Sequence, residues 1–211
     1  IYDGEIYDGA KEIKGWSEAG CTAGQWKPVR KLDYDFSVLT GQGSGKVSLM
    51  DEVKPKEIFE TPEGDLVIDF GQNMSALIQV TATGKKGDVI RLDCFEVLDS
   101  KGNVYLDNLR GAKESLQYTF GEDGTITYRP SFTFMGFRYA KIVSFPGTPE
   151  PGNFIAHAIH TNMERTGFLE TSNPDLNQLA HNILWGLKSN FVDVPTDCPQ
   201  RDERLGWTGD A

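Results

Sequence analysis

From Lys46 to His160 the chain is a succession of short apolar runs, each closed by a turn signal, and this rhythm restricts the fold more than any other feature. The runs are KVSLM, DLVIDF, ALIQVTA, DVIRLDCFEV, SLQYTF, TITYRP, FRYAKIVSF and NFIAHAIH, all rich in β-branched or aromatic residues. Between them stand TPEGD, GKKGD, DSKGN, GEDGT and PGTPEPGN, whose Gly, Pro, Asp and Asn residues suit tight turns. In DVIRLDCFEV the alternation is explicit: Val89, Arg91, Asp93, Phe95 and Val97 share one face, and Ile90, Leu92, Cys94 and Glu96 the other. Many such strands without intervening helices predict an antiparallel β-sandwich in a mainly β chain. The 23 glycines and 10 prolines lean the same way.

After residue 160 the period changes. TSNPDLNQLAHNILWGLKSN places Leu176, Leu179, Ile183, Leu184 and Leu187 at helical spacing. Ser172 or Asn173 offers an N-cap, Pro174 suits the first turn, and Asp175 complements the positive end of the helix dipole. The apolar stripe of this helix calls for a partner, and a helical domain beyond Ala211 is the expected one.

A formal net charge of -10 argues against a nucleic-acid partner, which calls for a basic footprint. No run approaches the ~20 apolar residues of a membrane span. Cys21, Cys94 and Cys198 are an odd set without metal-type spacing, which disfavours a disulfide framework but leaves room for one bridge. The chain begins at Ile1 and stops inside a charged motif, so it reads as an internal piece of something longer.

Tyr2, Tyr7, Trp16 and Trp26 crowd an acidic, Gly-rich opening segment. Their flat apolar faces suit pyranose C–H groups, but plugging the edge of a sandwich is the favoured role. In DFGQNM, Asp69, Gln72 and Asn73 read as a polar turn joining two strands. FTFMGFRY reads as core packing, with Gly136 relieving crowding or forming a bulge and Arg138 tying the sandwich to its neighbour. His157, His160 and His181 show no ligand pattern and are read as surface or locally hydrogen-bonded residues.

The densest chemistry lies in VPTDCPQRDERLGWTGDA, Val194 to Ala211. Pro195 and Pro199 predict an extended loop over Thr196–Gln200, and QRDERLGW is compatible with a short turn of helix before Gly206. Asp197, Asp202, Glu203 and Asp210 stand close to Arg201 and Arg204. Crowded carboxylates raise one another's pKa and arginines lower them, so one acid can stay protonated beside an ionised neighbour. Glycoside cleavage needs that division of labour. Charge runs of this kind also serve as plain solvated faces with Arg–Asp staples. The spacing is not that of a calcium loop, and two arginines oppose a dication.

This last segment resembles the signature of the bacterial α-L-rhamnosidases, glycoside hydrolase family 78, at the entry to their catalytic domain. DFGQNMSALIQV, GNVYLDNLRGAK and YRPSFTFMGFRYAKI resemble the β-sandwich that precedes it, and IYDGEIYDGAKEIKGW the end of an N-terminal β domain. The resemblance implies three parts: residues 1–48 closing an N-terminal β domain, 49–160 a concanavalin-like β-sandwich, and 161–211 the start of an (α/α)6 barrel. It implies an inverting hydrolase that removes terminal α-L-rhamnose from glycosides or polysaccharides, with no cofactor and no metal. Glu203 corresponds to the general acid, a role that needs a carboxyl kept protonated by like charge or burial. Asp197, Arg201, Trp207 and Asp210 match sugar-contacting positions. The second carboxylate of an inverting pair stands roughly 6.5–9.5 Å from the acid. In the family it comes from far downstream, so the chain alone is expected to be inactive and its terminal motif frayed. A rival reading is a non-catalytic carbohydrate-binding sandwich that works through its aromatics.

Overall fold

The structure is a computed structural model, and it describes residues 1–22, 24, 26–41, 43 and 45–207. Its strands are β1 (Gly4–Asp8), β2 (Val47–Val53), β3 (Glu57–Glu60), β4 (Leu66–Gly84), β5 (Val89–Phe95), β6 (Val97–Leu98), β7 (Val104–Tyr105), β8 (Ser115–Thr119), β9 (Gly124–Tyr128), β10 (Met135–Ser144) and β11 (Phe154–Thr161). The helix α1 (Pro174–Ser189) follows, then β12 (Phe191–Val192), β13 (Val194–Cys198) and β14 (Glu203–Gly206). The chain is therefore mainly β, as its alternation predicts.

One nine-stranded sheet carries the fold, in the order β1-β8-β5-β10-β4-β11-β2, with β3 and β9 also bonded to β4. β4 makes this a single curled sheet rather than two separate ones. Its first half pairs β3 and β10, its middle pairs β11, and its end pairs β9. Pairing is antiparallel except between β1 and β8, which run parallel.

Two of the expected strands, DLVIDF and ALIQVTA, are halves of β4. The polar turn expected between them is a bulge inside one strand. Asp69 pairs Tyr139 and Met74 pairs Phe137, so residues 70–73 stand opposite Arg138 alone. Gly71 supplies the positive φ of 75° that the excursion needs. The Asp69 carboxylate replaces lost ladder bonds by accepting from the Gly71 amide at 2.6 Å and from Arg138 Nε and Nη2, both at 2.8 Å. Arg138 thus ties the sheet to itself. Burial alone would raise the Asp69 carboxyl, but Arg138, the Gly71 amide and Lys56 hold it below the usual carboxylate value.

The alternation of β4 buries Ile68, Phe70, Met74, Ala76, Ile78, Val80 and Ala82 in one core with Ile90, Leu92 and Cys94 of β5 and Phe137 of β10. A smaller cluster on the opposite face holds Val67, Phe95 and Tyr139 under Phe59, Leu98 and Val104. Phe95 is therefore buried although it shares a face with exposed Arg91. Tyr7 of β1 stacks on Tyr118 at 5.5 Å and meets Tyr128 at 5.2 Å, the edge-plugging role expected of it. Trp16 and Trp26 do not share it, being 63% and 59% exposed.

α1 starts as the sequence predicts. The Asn173 side chain accepts from the amides of Asp175 and Leu176, and Pro174 occupies the first turn. It lies on the sheet through Trp185, which packs on the main core, and through the Ser189 carbonyl, which accepts from Ser75 Oγ at 2.7 Å. Lys188 reaches Asp51 at 2.7 Å. The stripe of Leu176, Leu179, Ile183 and Leu187 stays exposed. Among the described residues no helix is long and apolar enough to cross a membrane. The three cysteines are free. His157 and His160 are buried and locally bonded, to Gln79 and the Thr161 carbonyl, while His181 is exposed.

Candidate active site

The terminal motif is a strand hairpin: the extended backbone expected from its prolines pairs as β13, and β14 stands where QRDERLGW suggests a short turn of helix. β12, β13 and β14 form a small antiparallel sheet in which Thr196 pairs Gly206 and Cys198 pairs Glu203. Pro195 is tolerated in β13 because the sheet is short and irregular there, with the register shifting between Thr196 and Cys198, and Pro199 falls in the turn just past the strand. Asp193, with φ 71°, makes the tight reversal from β12 to β13, and its amide donates to Thr161 Oγ1 at 2.9 Å. Through Trp207 the motif is therefore ordered by pairing rather than frayed.

Besides the Asp193–Thr161 bond, the hairpin meets the nine-stranded sheet and the connection from β7 to β8 at three points. Arg204 enters a site where its side chain is 6% exposed and donates to the fully buried carboxylate of Glu114. It also donates to the Phe134 carbonyl at 2.8 Å and lies over the rings of Phe134 and Tyr2. The other Glu114 oxygen accepts from the Gly136 amide at 2.9 Å. Burial pushes the Glu114 carboxyl up to about 8, with Arg204 and the Gly136 amide opposing part of the rise. Both oxygens accept hydrogen bonds, the pattern of a carboxylate in an ion pair. At the second point Gly136 meets the hairpin backbone. A Cβ there would stand 2.7 Å from the Gln200 nitrogen, so only glycine permits the approach. The expected relief of crowding is thus towards the motif. At the third point Arg110 reaches Glu203 Oε2 at 2.7 Å and Asp202 Oδ1 at 3.5 Å.

Of the residues singled out by the sequence, Asp197, Arg201 and Glu203 come together. Arg201 lies 3.9 Å from Asp197 Oδ2 and 3.8 Å from Glu203 Oε2. Asp197 also accepts from Cys198 Sγ at 3.2 Å. Glu203 thus faces two guanidinium groups where the sequence suggested a like charge. Trp207 is exposed on an apolar groove of about 460 Å³ with Ile183, Leu187 and Phe191. Asp210 lies outside the described residues.

Asp197 also lines a cavity of about 610 Å³ between the sheet, α1 and β13. Its floor holds Gln72 and Asn73 from the β4 bulge, together with Glu96. Glu96 accepts from Asn73 and Asn108, both at 2.9 Å. Burial raises the Glu96 carboxyl, while these two amides and the charge of Arg201 oppose the rise. Sequence reasoning passed over Glu96, Arg110 and Glu114. Glu114 carried a readable signal, because it shares strand parity with Leu116, Tyr118 and Phe120, all buried. A carboxylate in register with an apolar face demands a cation.

Three domain models of one family cover nearly all of the chain. The α-L-rhamnosidase N-terminal domain matches residues 1–51, the bacterial α-L-rhamnosidase concanavalin-like domain 59–160, and the bacterial α-L-rhamnosidase 6 hairpin glycosidase domain 164–211. An α-L-rhamnosidase from Streptomyces avermitilis is 41% identical over 211 residues, the whole of this chain and 20% of the relative. Among solved structures, the native α-L-rhamnosidase from Aspergillus terreus superposes with a TM-score of 0.94 at 41% identity, over 99% of this chain and 24% of that one. The Streptomyces avermitilis enzyme complexed with L-rhamnose gives 0.91 at 40%, over 99% of this chain and 20% of that one. The chain spans about a fifth to a quarter of the length of these relatives. With three consecutive domain models of one family along it and that family's fold in its sheet, the chain belongs to the bacterial α-L-rhamnosidases.

Proposed function

We propose that this chain is part of an inverting α-L-rhamnosidase that removes terminal non-reducing α-L-rhamnose from glycosides or polysaccharides. Residues 1–48 close an N-terminal β domain, 49–160 form the concanavalin-like sandwich, and 161–211, with the exposed stripe of α1, begin an (α/α)6 barrel. The observation that carries this reading is the guanidinium of Arg201, within 4 Å of both Asp197 and Glu203. It gathers the matched general acid and a matched sugar-contacting carboxylate into one site. The relative from Streptomyces avermitilis holds L-rhamnose, which supports the same sugar as ligand here. The binding-only reading loses Tyr7, which is consumed in the core stack, and keeps only the exposed Trp16 and Trp26 of the opening segment.

In the proposed reaction Glu203 passes its proton to the departing glycosidic oxygen as the bond to the anomeric carbon breaks. Water attacks from the opposite face and gives its proton to a second carboxylate. Asp197, Arg201, Trp207 and Asp210 hold the rhamnose. No residue of this chain is assigned the base, so the 211-residue chain by itself is inactive in this reading. Rhamnose released from an aryl rhamnoside by the purified chain would overturn that. In the complete enzyme Glu203→Gln should abolish turnover of substrates with poor leaving groups and leave rhamnose binding in calorimetry intact. Wild-type turnover of those substrates would remove Glu203 from the acid role.

A further inference from the structure

We propose that Arg110, in the connection from β7 to β8, is a positioning residue for Glu203, fixing which carboxyl oxygen faces the scissile bond; this rests on Glu203 being the general acid. Arg110 and Glu114 end a five-residue stretch of the connection from β7 to β8, and both hold positive φ, 58° and 48°. Non-glycine residues in such conformations are strained and persist where their surroundings demand them. Here both side chains reach the terminal hairpin, Arg110 to Asp202 and Glu203, Glu114 to Arg204. Between them Gly111 approaches so closely that a Cβ would stand 2.6 Å from Asp202 Oδ2. The connection is thus shaped around the hairpin.

The guanidinium of Arg110 engages two consecutive side chains, Nε towards Asp202 Oδ1 and Nη1 on Glu203 Oε2. Asp202 ends the turn and Glu203 begins β14, so holding both from one fork fixes the entry to that strand as well as the carboxyl plane. Arg201 approaches the same oxygen, Oε2. Among the described residues no hydrogen bond reaches Glu203 Oε1. Oε1 is therefore the oxygen left to carry the proton to the departing group. When that proton leaves, the charge that remains is shared with Oε2, which already lies against Arg110. The residue acts through Glu203 and touches no substrate.

The test uses the complete enzyme and two substrates, an alkyl rhamnoside and a nitrophenyl rhamnoside. Protonation matters for the first and little for the second, whose leaving group departs readily. Arg110→Gly removes the guanidinium and suits the positive φ, so its melting temperature should match or exceed the wild type. Its kcat on the alkyl substrate should fall about tenfold, less than the roughly hundredfold or more a general acid itself contributes, and on the nitrophenyl substrate by less than about threefold. Arg110→Lys should recover part of the loss. Equal losses on both substrates, or none, would overturn the proposal. Glu203→Gln run in parallel separates the two ideas. If it too lacks leaving-group dependence, the general-acid reading fails, whereas dependence in Glu203→Gln alone removes only Arg110.

Discussion

The central sheet and the terminal hairpin are held by opposite means. The sheet closes over side chains such as Ile68, Ile78, Leu92 and Phe137, each removed from water. Its specificity is geometric, set by alternation and register. The hairpin has almost no apolar interior of its own and is fixed by one buried ion pair, a carbonyl hydrogen bond, a glycine contact and a surface guanidinium. Apolar burial is tolerant of direction; charged contacts are not. A segment that must present acids and cations at set angles is therefore better held by charges than by packing.

If that contrast is right, the two regions should fail differently. Phe137→Ala should cost about 3–5 kcal/mol and lower the unfolding midpoint of the whole sheet, because the ring sits fully buried against Phe70. A loss confined to the hairpin would break the contrast. Glu114→Gln should cost about 3 kcal/mol locally, since it leaves the Arg204 guanidinium buried without its counter-charge. Limited proteolysis should then cut within residues 191–207 while the sheet's midpoint moves little. Replacing the pair by Leu and Met should restore protection. The smallest effect is expected at the β4 bulge, where Asp69→Asn should cost about 1–2 kcal/mol at neutral pH, Arg138 being partly exposed. Asp69 is held below its ordinary value of 3.8, so its contribution is full above that pH and lost as pH falls through the folded value. Melting curves of wild type and variant should converge in acid. A gap that persists there would assign the loss to packing rather than charge.

Much of the sheet was legible because alternation is a local signal. β5 and β8 show it in their own residues, and α1 declares its start through Asn173 and Pro174. What escaped was non-local. Gly71, Gln72 and Asn73 look like a turn, and only pairing with β10 reveals that the strand continues through them. β3 is too short for a period, and it is anchored by Ile58 on the main core and Phe59 on the smaller cluster. At the site, Asp197, Arg201 and Glu203 were visible as a charge cluster within seven positions. Their supports were not, since Arg110 and Glu114 lie 93 and 90 residues from their partners. The strand hairpin was hidden by prolines that ordinarily forbid one.

The parallel seating of β1 on β8 has a practical meaning for how such a protein can be cut. β1 lies within the stretch that matches the N-terminal domain model, while β8 lies within the concanavalin-like one. β2, which caps the far side of the sheet on β11, falls mostly in the first stretch as well. Excising residues 59–160 as a module would strip both rims at once, leaving β8 and β11 with bare amides and carbonyls. Open rims invite neighbouring copies to add strands. The folding unit is therefore stitched across the boundary that sequence matching draws, and a cloned middle piece should self-associate where the longer one does not.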